Sequence, residues 1–213
     1  MKIDWLSVVL ILVALAATAA AYPYLPSEVQ SHWTNLMGQA DEPRAKSAVF
    51  SLVAVIALVY ILLSLFPRYD RRRALAARPE VYRLFVRAIV LFLVLMQLGS
   101  LAFNLGYAIA MVRLVGVALG LLLVVFGNHL PQVKANAFLG IRTPWTLKDE
   151  TTWRVTNRLG GYLFMLGGVL LVALSLVLGQ TQWVVASIIG VPVIAGALSV
   201  AYSYFAYNAR RAA

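Results

Sequence analysis

The chain has 213 residues, 62% of them hydrophobic and only 12% charged, with a net charge of +10 at pH 7. Soluble domains carry about 25% charged and about 45–50% apolar residues, so a chain this short cannot hide its apolar surface in a core of its own and takes lipid as its solvent. There is no cysteine, which excludes disulfides and thiolate metal sites. The positive charge sits beside apolar runs, where it reads as the signal that keeps loops cytoplasmic rather than as a nucleic-acid patch.

A membrane helix needs roughly 20 mostly apolar residues. In chain order the qualifying segments are 5–22, 48–66, 84–103, 107–126, 161–178 and 183–204, and none contains Asp or Glu. Arg87 and Arg113 lie toward helix ends, where long side chains snorkel to the interface. The first segment follows Lys2 and ends in Ala19-Ala20-Ala21, as a signal peptide would. Its apolar run is longer than a signal core, so it is expected to persist as a helix.

Loop charge predicts the orientation. The loop after helix two carries Arg68, Arg71, Arg72, Arg73, Arg78 and Arg83. The loop after helix four carries Lys134, Arg142, Lys148, Arg154 and Arg158, and the C-terminus carries Arg210 and Arg211. The loop after helix one has Arg44 and Lys46 against Glu28, Asp41 and Glu42; the loop after helix five has no charge. This pattern predicts both termini inside. Trp5, Trp33, Trp145, Trp153 and Trp183 fall at helix ends or in loops, as interfacial anchors do.

The expected fold is therefore all-α, a polytopic membrane protein with six transmembrane helices, N-in and C-in. It divides into residues 1–83, with helices one and two, an outer loop (23–47) and a basic inner loop (67–83), and residues 84–213, with helices three to six and a long inner loop (127–160). The two long loops each follow the first helix of a three-helix half and start alike, with Leu25-Pro26 in one and Leu130-Pro131 in the other. An odd helix number per half would make this a 3+3 inverted repeat; coincidence between two Pro-broken helix ends is the plainer alternative.

The inner loop is the densest in motifs. Pro131 and Pro144 force extended backbone before them, and Gly140 permits a turn, so 130–145 is expected to be a fixed non-helical excursion. Thr146 is a candidate N-cap with Asp149 three residues on. A helical pattern follows through Trp153, Thr156 and Asn157, and Gly160-Gly161 is expected to open the fifth membrane helix. Asn128, Asn136, Arg142, Thr143, Asn157 and Arg158 supply donors that either cradle an anion or protein partner or satisfy the loop's own backbone.

Gly127-Asn128-His129-Leu130-Pro131, Asn136, Gly140-Ile141-Arg142-Thr143-Pro144-Trp145-Thr146-Leu147, Trp153 and Arg158-Leu159-Gly160-Gly161 together resemble the signature of the SdpI immunity-protein family. The outer loop, through Leu25-Pro26, Val29, His32-Trp33, Gly38, Asp41 and Lys46, resembles the DUF1648-type segment often found at the start of such proteins. The resemblance implies a bacterial plasma-membrane protein that protects against, or senses, a secreted membrane-active peptide and holds a cytosolic transcriptional repressor at the membrane. It points to Asn128, Pro131, Asn136, Gly140, Arg142, Thr143, Pro144, Trp145, Trp153, Asn157 and Arg158 inside. Outside, it points to Pro26, His32, Trp33, Asp41 and Lys46.

An enzyme is not expected. His32 and His129 fall on opposite sides of the membrane and cannot share a metal, and His32 with Asp41 or Glu28 is a sparse set beside the simpler role of an imidazole next to Trp33. No nucleophile triad, phosphate loop or cofactor motif stands out. A small-molecule transporter or channel is the alternative, because Gln97, Ser100 and Asn104 share one face of helix three and Ser199, Tyr202 and Ser203 share one of helix six. The plainer role of such groups is interhelical hydrogen bonding. No buried carboxylate is expected. Gly116 and Gly120 at GxxxG spacing, with Gly167-Gly168, suit close helix packing, including a homodimer face.

Overall fold

The computed structural model describes residues 3–30, 43–70 and 72–212, and is 82% helical. The helices are α1 (Trp5–Ala21), α2 (Val49–Tyr69), α3 (Ala74–Ala77), α4 (Pro79–Asn104), α5 (Met111–His129), α6 (Pro144–Lys148), α7 (Glu150–Val177) and α8 (Thr181–Ala212). Six of them, all but α3 and α6, are long and apolar enough to cross a membrane. The α1–α2 connection adds a small ribbon, β1 (Glu28–Val29) antiparallel to β2 (Arg44–Ala45).

Several helices run further than their apolar stretches, α8 as far as Ala212. α4 begins at Pro79, where a missing N–H costs nothing, with Glu80 in the first turn facing the positive end of the helix dipole. α7 runs unbroken for 28 residues. Gly160-Gly161 therefore does not open a membrane helix; it lies a third of the way along one that already began in the loop.

Burial is arranged as lipid requires. Many large apolar side chains point outward, with Leu166 64% and Val193 62% exposed, while the interior combines bulky residues such as Trp153, Phe85 and Ile56 with buried Ser, Thr and Asn. α5 and α7 make the closest approach. A Cβ placed on Gly168 would sit 2.5 Å from the Gly120 carbonyl oxygen, and one on Gly120 would sit 2.7 Å from that of Gly168. Two turns toward the loop, Gly127 and Gly161 repeat the exchange at 2.5 and 2.7 Å. Tails offer helices no hydrophobic drive to associate, so such backbone contact carries the packing. Gly116, against Ser175 of α7, joins the same seam. These glycines are used inside the chain, which removes them as a homodimer face.

The other half is joined by polar bonds. Gln97 of α4 is 2% exposed; its amide donates to Thr18 Oγ1 of α1 at 2.9 Å and to the Val49 carbonyl of α2 at 3.1 Å. Between this junction and the start of α4, Ala14, Ile56, Val86, Val90 and Val94 form a buried apolar cluster. The two halves are thus not packed alike: α5 lies mainly on α7, whereas α1 lies mainly on α4.

Buried carboxylates, not expected from the sequence, are present. Asp4 and Asp70 are both 4% exposed. Asp70 accepts from the Arg72 and Leu75 N–H groups and shapes the turn into α3. Asp4 pairs with Arg87, whose Nη2 lies 2.6 Å and Nε 2.9 Å from Oδ1. Ser7 donates to Asp4 Oδ2 at 2.6 Å, and the Tyr60 hydroxyl of α2 accepts from the Asp4 N–H at 3.3 Å. Arg87 is therefore not a free snorkelling side chain; it bolts the start of α1 to α4. Arg113 does lie near a helix end, and donates to the Leu178 carbonyl at the end of α7.

Burial works to raise the Asp4 pKa, but hydrogen bonds from Arg87 and Ser7 and the Arg87 charge together hold it below the ordinary carboxylate value. A carboxylate depressed in the folded state contributes stability that is complete above its unfolded value, about 4, and disappears as pH falls through the folded one. Thermal unfolding in detergent is expected to show a fall in Tm below about pH 4 that is smaller in Asp4→Asn, whose Tm at pH 7 is already reduced. Gly168→Ala is expected to cost about 1–3 kcal/mol by overpacking. Gly196→Ala, which meets nothing within 4 Å, leaves Tm unchanged in the same assay.

Candidate functional site

The α5–α7 loop folds around two asparagines. Asn136 is wholly buried. Its Oδ1 accepts from the Phe138 and Leu139 N–H groups, each at 2.7 Å. Its Nδ2 donates to the Lys134 and Leu139 carbonyls at 2.8 and 2.9 Å. Asn157, on α7, accepts from the Ile141 N–H at 2.8 Å and donates to the Trp153 carbonyl at 2.9 Å. In a loop close to hydrocarbon, such side chains replace the water its backbone lacks.

Trp153 is 1% exposed and packs with Val81, Phe85 and Val133, donating Nε1–H to the Val133 carbonyl at 2.8 Å. It is a core residue, not the interfacial anchor its loop position suggested. Trp5 and Trp183, 69% and 58% exposed, do have the exposure of anchors. The loop backbone passes over Trp153 at Gly140, whose φ of +114° suits only glycine. A Cβ there would also lie 2.8 Å from the indole.

The caps differ from the sequence expectation by one short element. Thr143, not Thr146, is the N-cap. Its Oγ1 accepts from the Thr146 N–H at 3.2 Å while Thr146 Oγ1 accepts from the Thr143 N–H at 2.8 Å, with Pro144 at the first helical position of α6. Asp149 caps the next helix, α7, accepting from the Thr152 N–H and hydroxyl, each at 2.6 Å. The Thr152 bonds, with Arg210 alongside, hold the Asp149 pKa below its ordinary value. Thr143-Pro144-x-Thr146 and Asp149-x-x-Thr152 carried this signal in the sequence.

The remaining contacts tie the loop to its surroundings. Ser203 of α8 donates to Thr143 Oγ1 at 3.1 Å. Trp145 meets the edge of Tyr204 at 5.2 Å, and Arg210 lies 3.5 Å from Asp149. Phe138 stacks on Phe66 of α2 at 4.7 Å, and Arg72 donates to the Leu147 carbonyl. Arg142 is exposed but donates to the Ala137 carbonyl within the loop. Pro131 rests on Gly161, where a Cβ would come within 3.0 Å of its ring. What stays outward is Asn128, Lys134, Arg154 and Arg158, all exposed. None of these expected contacts brings Arg142 and Arg158 into a shared anion cradle.

The other expected sites divide. His32, Trp33 and Asp41 lie outside the described residues. Pro26 is exposed; Lys46 donates to the Pro23 carbonyl and lies 4.7 Å over the Tyr22 ring. Asn104 exchanges bonds with the backbone of Gln30, at 2.8 and 3.0 Å, pinning the outer loop to α4. Ser100 is buried one turn earlier. With Gln97, these residues serve helix and loop joining rather than lining an open path. On α8, Ser199 and Ser203 are buried but Tyr202 is 39% exposed, so the expected polar face is split. Among the described residues no three His, Cys, Asp or Glu side chains gather where a metal could sit.

These features define a multi-pass, all-helical membrane protein that carries a self-structured basic loop between its fourth and fifth spans. Residues 132–203, which take in most of that loop, α7 and most of α8, match the model of the SdpI/YfhL protein family. The chain is similar to Immunity protein SdpI of Bacillus subtilis (strain 168), at 26% identity over 216 residues, covering 98% of this chain and 97% of that protein. No solved structure matches.

Asn136→Leu, which orphans two N–H groups and two carbonyls, is expected to lower stability by on the order of 3 kcal/mol. Thr156, buried with its hydroxyl unpartnered among the described residues, is the contrast. Thr156→Val is expected to leave the unfolding midpoint unchanged or to raise stability by up to about 1 kcal/mol.

Proposed function

We propose that the chain belongs to the SdpI/YfhL family along its whole length and acts as a bacterial plasma-membrane immunity protein that protects against, or senses, a membrane-active peptide. The observation that carries this reading is the end-to-end similarity to an immunity protein, joined to the family match over the segment that holds the α5–α7 loop. In this reading both termini and that loop are cytoplasmic, and the outer loop, through Pro26, His32, Trp33, Asp41 and Lys46, meets the peptide.

The loop geometry suits the inner half of such a role. Its polar side chains hold its own backbone, so it is a rigid platform rather than a flexible tether. Its outward rim of Lys134, Arg154 and Arg158 is basic and suits an acidic surface on a cytosolic regulator. A receptor needs each ligand to favour one of two states, and the outer loop and inner platform are the two places where such contacts would act. Transport is less well supported, because Gln97 and Asn104 are engaged in interhelix and loop bonds.

The test is survival of a sensitive bacterium that expresses the chain, challenged with membrane-active peptides while membrane potential is followed. Protected cells are expected to keep their potential. His32→Ala is expected to lose protection at equal expression, whereas Arg154→Ala with Arg158→Ala is expected to keep protection and lose recruitment of the regulator to the membrane. Depolarisation matching that of cells without the protein, for every peptide tried, would overturn the reading.

A further inference from the structure

A cavity of about 360 Å³ opens between α1, α2 and α4 at the ends that carry the basic loop. Its rim holds Arg68, Arg83 and Ser64, and its inner wall is apolar, formed in part by Ile61, Leu65 and Val86. The carboxylate at its edge does not neutralise the rim. Asp4 is fully engaged by Arg87 and Ser7, so that pair is internally balanced. Arg68 and Arg83 have no hydrogen-bond or ion-pair partner among the described residues. Ser64 donates its proton to the Tyr60 carbonyl, which leaves the hydroxyl oxygen to accept.

We propose that this cleft binds an anionic phospholipid, with the headgroup phosphate held by Arg68 and Arg83 and an acyl chain laid along the apolar wall. Two guanidiniums match the fork geometry of a phosphodiester, and basic clefts between membrane helices take anionic headgroups. The wall selects the source. Ile61 is 53% exposed on a membrane-spanning helix, so the cleft opens toward the bilayer as well as toward water. A soluble phosphate would use only the rim, whereas a phospholipid uses both ends. The proposal does not depend on the immunity reading.

The test offers the full chain in detergent micelles an equimolar mixture of phosphatidylglycerol and phosphatidylcholine and counts bound lipids by native mass spectrometry. The expected result is a preference of roughly tenfold for phosphatidylglycerol. Arg68→Gln with Arg83→Gln abolishes it. Arg154→Gln with Arg211→Gln, an equal loss of charge elsewhere, preserves it. Leu65→Trp, which fills the wall and leaves both arginines, lowers it. Equal binding of the two lipids by the unmodified protein would overturn the proposal whatever the variants do. So would full displacement of phosphatidylglycerol by inorganic phosphate, which would assign the cleft to a soluble anion.

Discussion

The backbone contact between Gly127 of α5 and Gly161 of α7 is the constraint on which the rest of this structure depends. Because each glycine lies against the other's carbonyl, the two helices leave no room for side chains at the base of their connecting loop. The chain must turn at once, which it does through Leu130–Gln132 with Pro131 resting on Gly161. The loop then crosses the first turns of α7 instead of projecting away. That crossing puts Val133 over the Trp153 indole N–H and Ile141 over Asn157. Gly120 with Gly168, and Gly116 with Ser175, continue the same approach toward the other face.

The two halves solve the problem of association in lipid by different means. α5 and α7 gain dispersion contact by losing side chains. α1, α2 and α4 keep β-branched and aromatic bulk and are joined by two polar fixtures, Gln97 toward one end and Asp4–Arg87 at the other. Polar bonds between membrane helices average less than about 1 kcal/mol each, so the first half is expected to be the looser of the two. Its cavity beside Asp4 and the outer loop it supports both lie in that half.

The loop shows why a motif full of donors need not be a binding site. Asn136, Asn157 and Thr146 direct their side-chain bonds at the loop's own backbone and that of α7, Thr143 divides its own between Thr146 and Ser203, and Arg142 reaches Ala137 within the loop. A surface of fixed shape with a basic rim results, on which Asn128, Lys134, Arg154 and Arg158 stay exposed.

How much was legible beforehand follows from the physics of each signal. Membrane spans rest on summed apolar length, a local quantity, so six of them stood in the sequence, with ends misplaced where α4, α7 and α8 extend beyond the apolar run and where α5 starts only at Met111. The extended backbone at Thr143 and the turn at Gly140 were likewise written in Pro144 and Gly140, whose limits need no neighbour, whereas Leu130 before Pro131 is helical and opens a short 3-10 turn over Leu130–Gln132, against expectation. The pairings between distant residues were not. Asp4 with Arg87, Gln97 with Thr18, Thr143 with Ser203 and the burial of Trp153 depend on which helices lie side by side. An isolated carboxylate before a helix looks solvated until a guanidinium from another helix arrives. The sequence by itself determined that the chain crosses lipid and where it leaves it; only the tertiary structure decided which polar groups are consumed in holding it together, because a side chain's partner is a property of packing and not of position along the chain.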